Sequence, residues 1–268
     1  MTILHAYTST WNDLYMIRYY VRHWAQYASK IFVYDDDSTD GTREFLESCA
    51  PLVEVKSPGF HGLDELLLQE MRNREYRINS RGIADWVVIG DSDELHHHPR
   101  MLEALAEKKA RGYRAVISHG WHMLADKAPE GDEQMTAMVK EGVADYIYSR
   151  VIFDPALELS IAIGHHGFTI ADGPEVTFTR KSGRVSVNDR EGMDGRYPIE
   201  FEDREFKMLH YRYLGEDYIK DKNARNFGRL SDRNREHRWG WHYFPGNTGT
   251  HSLHWAMGKM KERVRCID

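Results

Sequence analysis

Residues 85–95, Asp-Trp-Val-Val-Ile-Gly-Asp-Ser-Asp-Glu-Leu, constrain this chain more than any other stretch. The apolar run 86–89 is short and has no polar face, as expected of a strand buried on both sides of a sheet. It ends in three carboxylates within four residues, Asp91, Asp93 and Glu94. Like charges crowded at a buried strand end are unfavourable unless something cationic sits among them. A hard divalent cation, which takes oxygen ligands and bridges to phosphates, meets that need. In an extended segment Asp91 and Asp93 point the same way and can face one ion. The competing reading is a solvated strand-to-loop turn, because Asp and Ser are common turn residues.

The first 120 residues alternate in character. Strands are expected over 2–7, 30–34, 52–55, 86–90 and 115–118, and helices over 13–27, 43–48, 63–79 and 99–111. Leu14, Ile17, Val21, Trp24 and Ala25 fall on one face of the first helix, and Leu63, Leu66, Leu67, Met71 and Ile78 on one side of the third. This rhythm predicts an α/β fold, a mostly parallel central sheet with helices on both faces, in which ligands bind beyond the carboxyl ends of the strands. A second acidic cluster, Asp35-Asp36-Asp37, follows the strand at 30–34, so both clusters are expected in one crevice. The second half is less regular. Short strands are expected over 151–153, 159–163, 176–180 and 185–187, loops over 126–142 and 189–206, and a helix over 216–236. His96-His97-His98, just before Pro99, reads as an exposed loop.

At 268 residues the chain suits one large α/β domain. No apolar run approaches the ~20 residues that cross a bilayer, and residues 1–5 lack the features of a signal peptide. Two cysteines, Cys49 and Cys266, make neither a disulfide framework nor a metal-ligand spacing, which points to a cytoplasmic setting. The net charge of −6 hides an asymmetry: residues 1–203 carry 22 Lys and Arg against 34 Asp and Glu, whereas 204–268 carry 14 against 8. The basic C-terminal segment is therefore an expected anion-facing surface, toward a diphosphate, an acidic glycan, a membrane surface or nucleic acid.

Tyr34-Asp35-Asp36-Asp37-Ser38-Thr39-Asp40-Gly41-Thr42 resembles the nucleotide-binding turn of family 2 glycosyltransferases, and Asp91-Ser92-Asp93-Glu94-Leu95 resembles their metal-binding Asp-x-Asp motif. The subgroup most similar reads Asp-x-Asp-Glu-Phe there and carries a later His-Tyr segment, which Met208-Leu209-His210-Tyr211-Arg212-Tyr213 resembles. The resemblance covers residues 1–120 well and 150–225 loosely; 226–268, rich in Trp, lies outside it. It implies a GT-A, Rossmann-like fold with a less regular C-terminal acceptor-side region. The chain would be one domain: a nucleotide-sugar-binding half (1–120), an acceptor-side half (121–225) and a basic extension (226–268).

The same resemblance implies residue roles. Asp93 would ligate Mn2+ or Mg2+ directly, with Asp91 beside it and His210 as a late contact. Thr8, Ser9, Asp35, Asp36, Arg72, Arg77, Ser92 and Arg212 would bind the donor. Trp121, His122 and one of the adjacent pair His165-His166 would face the acceptor. The catalytic base would be Asp172, Asp189, Glu191 or Asp194, with Asp172 preferred because it precedes the turn Gly173-Pro174. The implied activity is metal-dependent transfer of a sugar, with inversion, from a nucleotide diphosphate (UDP-sugar by default) to a glycan, lipid-linked or other polymeric acceptor. A peripheral membrane contact through the basic segment is the companion expectation. One rival is a sugar-nucleotide nucleotidyltransferase, disfavoured because Thr8-Ser9-Thr10-Trp11-Asn12-Asp13 has neither Gly nor Lys. The others are a non-catalytic nucleotide- or sugar-binding protein, and a transferase acting on nucleic acid.

Overall fold

Alternate residues of the first strands divide between two cores. In a computed structural model that describes residues 1–165, 167–171, 175–178, 185–187, 199–200, 203–246 and 253–268, the chain begins β1 (Leu4–Thr10), α1 (Leu14–Trp24), β2 (Lys30–Asp35), α2 (Thr42–Ser48), β3 (Val53–Lys56), α3 (Glu65–Asn79) and β4 (Trp86–Ile89). The four strands run parallel in the order β3-β2-β1-β4. Leu4, Ala6, Ile31, Val33, Trp86 and Val88 join one apolar cluster, while Tyr7, Phe32, Tyr34, Val87 and Ile89 join the other. Side chains of a strand alternate between faces, so a sheet covered on both sides needs apolar residues at every position. Met16, Ile17 and Trp24 of α1 cover the first face and Leu68, Met71 and Tyr76 of α3 the second.

The chain continues through β5 (Glu94–His97), α4 (Met101–Ala110), β6 (Ala115–Ala125), α5 (Met135–Met138), β7 (Glu141–Ala144) and β8 (Arg150–Phe153). Then come β9 (Leu159–Ile161), β10 (Gly167–Ile170), β11 (Glu175–Phe178), β12 (Val185–Val187), β13 (Ile199–Glu200) and β14 (Lys207–Leu214). The last elements are α6 (Glu216–Arg229), α7 (Asp232–His237), α8 (Leu253–Lys259) and β15 (Val264–Arg265). Antiparallel β8 joins β4 to β6, and β6 carries β14 and β13 in parallel and β7 in antiparallel pairing. Strands β9 to β12 form a separate antiparallel sheet. The expected α/β architecture is thus present, and the parallel strands lead into an antiparallel extension. Among the described residues no helix is long and apolar enough to cross a membrane.

Four local expectations are corrected. Residues 94–97 are a strand against β14, with His96 buried beside Trp24 of α1 and His98 buried against Phe206. Ile78 is 64% exposed; α3 turns Leu68, Met71, Arg72, Glu75 and Tyr76 inward instead. The helix expected over 216–236 is two, broken after Arg229, with the Ser231 side chain capping α7 by accepting from the Asn234 amide. Within the expected loop 126–142 the chain forms α5 and enters β7.

Two buried histidines make stability depend on pH. Burial pushes His23 down to about 4, against the opposing hydrogen bond to the His96 carbonyl, and pushes His96 down to about 3, with Arg150 adding to the effect. In the unfolded chain both take up protons near pH 6.5, so between the two values the unfolded state binds more protons. Stability is therefore full above about pH 6.5 and falls as pH drops toward 4, by roughly 2 kcal/mol per histidine at pH 5. Urea unfolding at pH 7.5 and pH 5.0 should show this loss; equal midpoints would mean that the pair is not held neutral.

Candidate active site

The carboxyl ends of β1, β2 and β4 open into one cavity of about 230 Å³, somewhat below the ~300–1,000 Å³ usual for small-molecule sites. Ser9 and Thr10 line it from β1, Asp36 from the turn after β2, and Asp91, Ser92, Asp93 and Glu94 from the turn after β4. His165, His210, Arg72 and Arg212 line it too. The opposite wall is α6, which contributes Lys222, Arg225, Asn226 and Arg229 at i, i+3, i+4 and i+7, one helix face. A 3-10 turn, Trp241–Tyr243, closes the rim.

The segment after β4 is a turn rather than an extended strand: the Glu94 amide donates to the Asp91 carbonyl at 3.0 Å. The three acids therefore diverge, and each meets its own cation. Half-exposed Asp91 accepts from Arg72 at 2.5 Å. Buried Asp93 accepts from the Lys222 ammonium at 2.7 Å. Glu94 receives two bonds from Arg150, Nη2 to Oε1 at 2.5 Å and Nε to Oε2 at 3.0 Å. Burial alone would raise the Asp93 carboxyl, but Lys222 and His210 beside it outweigh burial and hold it well below the usual range. Burial raises Asp13 and Glu65, two further acids of the lining; a neighbouring acid (Asp93 and Asp91 respectively) adds to each.

His210 belongs to a buried polar chain. Its Nε2 lies 3.6 Å from Asp93 Oδ2, and its Nδ1 lies 3.2 Å from Nδ1 of His122, whose Nε2 lies 3.5 Å from Asp145. Carboxylates flank both ends of the chain, Asp145 beside His122 Nε2 and Asp93 beside His210 Nε2, and each favours a proton on the nitrogen it faces. Elsewhere in the lining, Thr10 Oγ1, Asp13 Oδ1, Arg72 Nε and Arg212 Nε are buried with no hydrogen-bond partner among the described residues. Such atoms cost ~1–3 kcal/mol each unless a ligand or water satisfies them.

Several expected residues lie outside the lining. Thr8 alternates away from Ser9, and Asp35 is buried against Arg43 and the Ser38 amide, at 3.1 and 3.3 Å. Arg77 donates to the Leu159 carbonyl at 3.0 Å, on the β9 side. Trp121 packs against the core, and His122 is wholly buried behind His210. Asp36 is in the lining but already accepts from His61, the Gly62 amide and Arg229, whose guanidinium also stacks 4.2 Å over Trp11. His166, Asp172, Asp189, Glu191 and Asp194 lie outside the described residues. Sequence reasoning missed Asp13, Glu65, Arg150 and the whole α6 face. The last was visible as Lys-x-x-Arg-Asn-x-x-Arg within the basic segment. A separate group, His98, Asp203 and Glu205, brings its ligand atoms within 4.8 Å of one another, away from the cavity. Its His98 Nδ1 accepts from the Arg100 amide at 3.0 Å, which leaves the ring proton on Nε2 facing Glu205.

No family model matches the chain. Among solved structures it is similar to S. aureus TarS 1-349, at 13% identity and a TM-score of 0.43 over 88% of this chain and 68% of that one. To the same protein in complex with UDP the values are 17% and 0.35 over 58% and 47%. To glucosyl-3-phosphoglycerate synthase from Mycobacterium tuberculosis, in complex with Mn2+, UDP and glucosyl-3-phosphoglycerate, they are 18% and 0.32 over 45% and 44%. In these two shorter matches the chain spans just under half the length of the other protein. Likenesses this remote assign neither a substrate nor a residue role.

The Arg150–Glu94 pair gives a direct test of the electrostatics. Arg150→Leu leaves a buried carboxylate without its cation and should destabilise the fold by about 3–5 kcal/mol. Adding Glu94→Leu should recover most of that loss in chemical denaturation. A double variant no more stable than the single one would show that the charge is not what matters.

Proposed function

We propose that the chain is a glycosyltransferase of GT-A type that binds a nucleotide-diphosphate sugar in this cavity. The observation that carries the proposal is the meeting, at the carboxyl ends of parallel strands, of the Asp-Ser-Asp-Glu turn with a cationic helix face. That is where ligands bind in sheets of this kind, and Lys and Arg there suit a diphosphate. Asp36, Ser9 and Thr10 would approach the nucleoside, and Lys222, Arg225 and Arg212 the phosphates. Trp241, Tyr243 and Tyr148 offer aromatic faces on which sugar C–H surfaces stack.

Asp93 and His210 are the residues that would hold a hard divalent ion, in competition with Lys222, which already donates to the same Asp93 oxygen at 2.7 Å. A carboxylate and an imidazole nitrogen, Asp93 and His210, stand 3.6 Å apart in the lining. The lining carries six Lys and Arg against six Asp and Glu, so an incoming diphosphate would bring excess negative charge. Mn2+ or Mg2+ supplies Lewis-acid stabilisation of charge on a leaving phosphate. Asp91, turned to Arg72, would orient that arginine toward the donor. Transfer would proceed with inversion to a glycan, lipid-linked or other polymeric acceptor, with a base drawn from Asp172, Asp189, Glu191 or Asp194.

A panel of nucleotide sugars with MnCl2, read by thermal shift and donor hydrolysis, tests the proposal. UDP-sugars are expected to raise the melting temperature by several degrees and to be hydrolysed slowly. Asp93→Ala should abolish the metal-dependent part of the shift. If no nucleotide diphosphate stabilises the protein under any metal condition, the proposal is wrong.

A further inference from the structure

Lys222 occupies the place beside Asp93 where a divalent ion would be expected to sit. Its ammonium is 2.7 Å from Asp93 Oδ2, and its side chain is 11% exposed and lines the cavity. One carboxylate oxygen cannot accept a close ammonium and ligate a divalent cation together without bringing two positive charges within a few ångströms. The other acids of the cluster are also supplied with protein cations, Asp91 by Arg72 and Glu94 by Arg150. No metal is therefore needed to relieve their mutual repulsion. An ammonium carries three N–H donors. Asp93 Oδ2 accepts from Lys222 at 2.7 Å, and on the same helix face Arg225 and Arg229 also face the cavity.

On the reading of this cavity as a donor site, we propose that Lys222 is a resident cation for the diphosphate. The pocket then binds a nucleoside diphosphate without any divalent metal, and a metal ion arriving at Asp93 competes with Lys222 for that carboxylate. In this arrangement Lys222 bridges Asp93 and a phosphate oxygen, donating to both. Arg225, whose Nη2 lies 3.9 Å from Asp13, extends the cationic surface along α6. No bond is made or broken in this step; the ammonium redistributes its hydrogen bonds.

The experiment is isothermal titration of UDP and GDP into the full chain, once with EDTA and once with MnCl2, for the native protein, Lys222→Met and Lys222→Arg. The native protein should bind at least one of the two in EDTA. Lys222→Met should weaken that binding by at least about tenfold, the loss of a charge-assisted hydrogen bond, while Lys222→Arg stays within a few-fold. With no nucleotide present, electron paramagnetic resonance of free Mn2+ should show several-fold tighter metal binding to Lys222→Met than to the native protein. Native binding that appears only with Mn2+, or Lys222→Met that matches the native protein in EDTA, overturns the inference. The EDTA arm on the native protein needs no variant and decides the matter if Lys222→Met fails to fold. Absence of binding in both EDTA and MnCl2 would remove the donor-site reading itself, a result distinct from binding that depends on metal.

Discussion

One cation for each carboxylate at the end of β4 is the constraint on which the site depends. Asp91, Asp93 and Glu94 lie within four residues, and two of them are buried. Left unpaired, they would shed charge by taking up protons or would destabilise the turn. Arg72, Lys222 and Arg150 prevent this, and they come from three elements: α3, α6 and β8. The ion pairs therefore also tie the parallel half of the sheet to its antiparallel extension and to the C-terminal helices.

That tie explains why the second half of the chain closes the cavity. β14 runs beside β6 and β5 and brings His210 to the end of β4, where the Tyr211 amide donates to the Asp93 carbonyl at 2.7 Å. From β14 the chain turns directly into α6, whose Lys222 reaches back to the same aspartate. Farther on, Arg229 meets Asp36, and Tyr243 packs over Arg212. Both ends of the cavity are thus held by contacts between segments about 130 to 190 residues apart. Charge on the strand ends and charge on the basic segment are complementary halves of one surface.

Much of the fold was legible because the signals are local. The apolar runs within 4–10, 30–35 and 86–89 report strands buried on both faces. The histidine tract 96–98 suggests exposure by its polar composition, whereas the tertiary packing buries His96 beside Trp24 and His98 against Phe206 and leaves only His97 partly exposed. Ile78 erred in the opposite sense: helical spacing selected it, yet the sheet lies under the neighbouring face. The site followed the same division. Asp36, Asp91, Asp93, His210 and Arg212 were singled out from short motifs and do share one cavity, while Asp13, Glu65 and Arg150 carry no local mark. Asp35 and Asp36 are adjacent, and only the direction of the chain after β2 sends one to Arg43 and the other to the cavity.

The sequence by itself determined the alternating architecture, the two acidic strand ends and the basic character of the C-terminal segment. These follow from periodicity and composition, which act over a few residues or over a whole segment. Only the tertiary structure decided which acid meets which cation, and that the face Lys222-Arg225-Asn226-Arg229 stands opposite Asp93. Electrostatic pairing depends on separation in space, and the partners here are 19, 56 and 129 residues apart along the chain. No local pattern encodes such distances, so the carboxylates were readable as a problem while their cations were not readable as its solution.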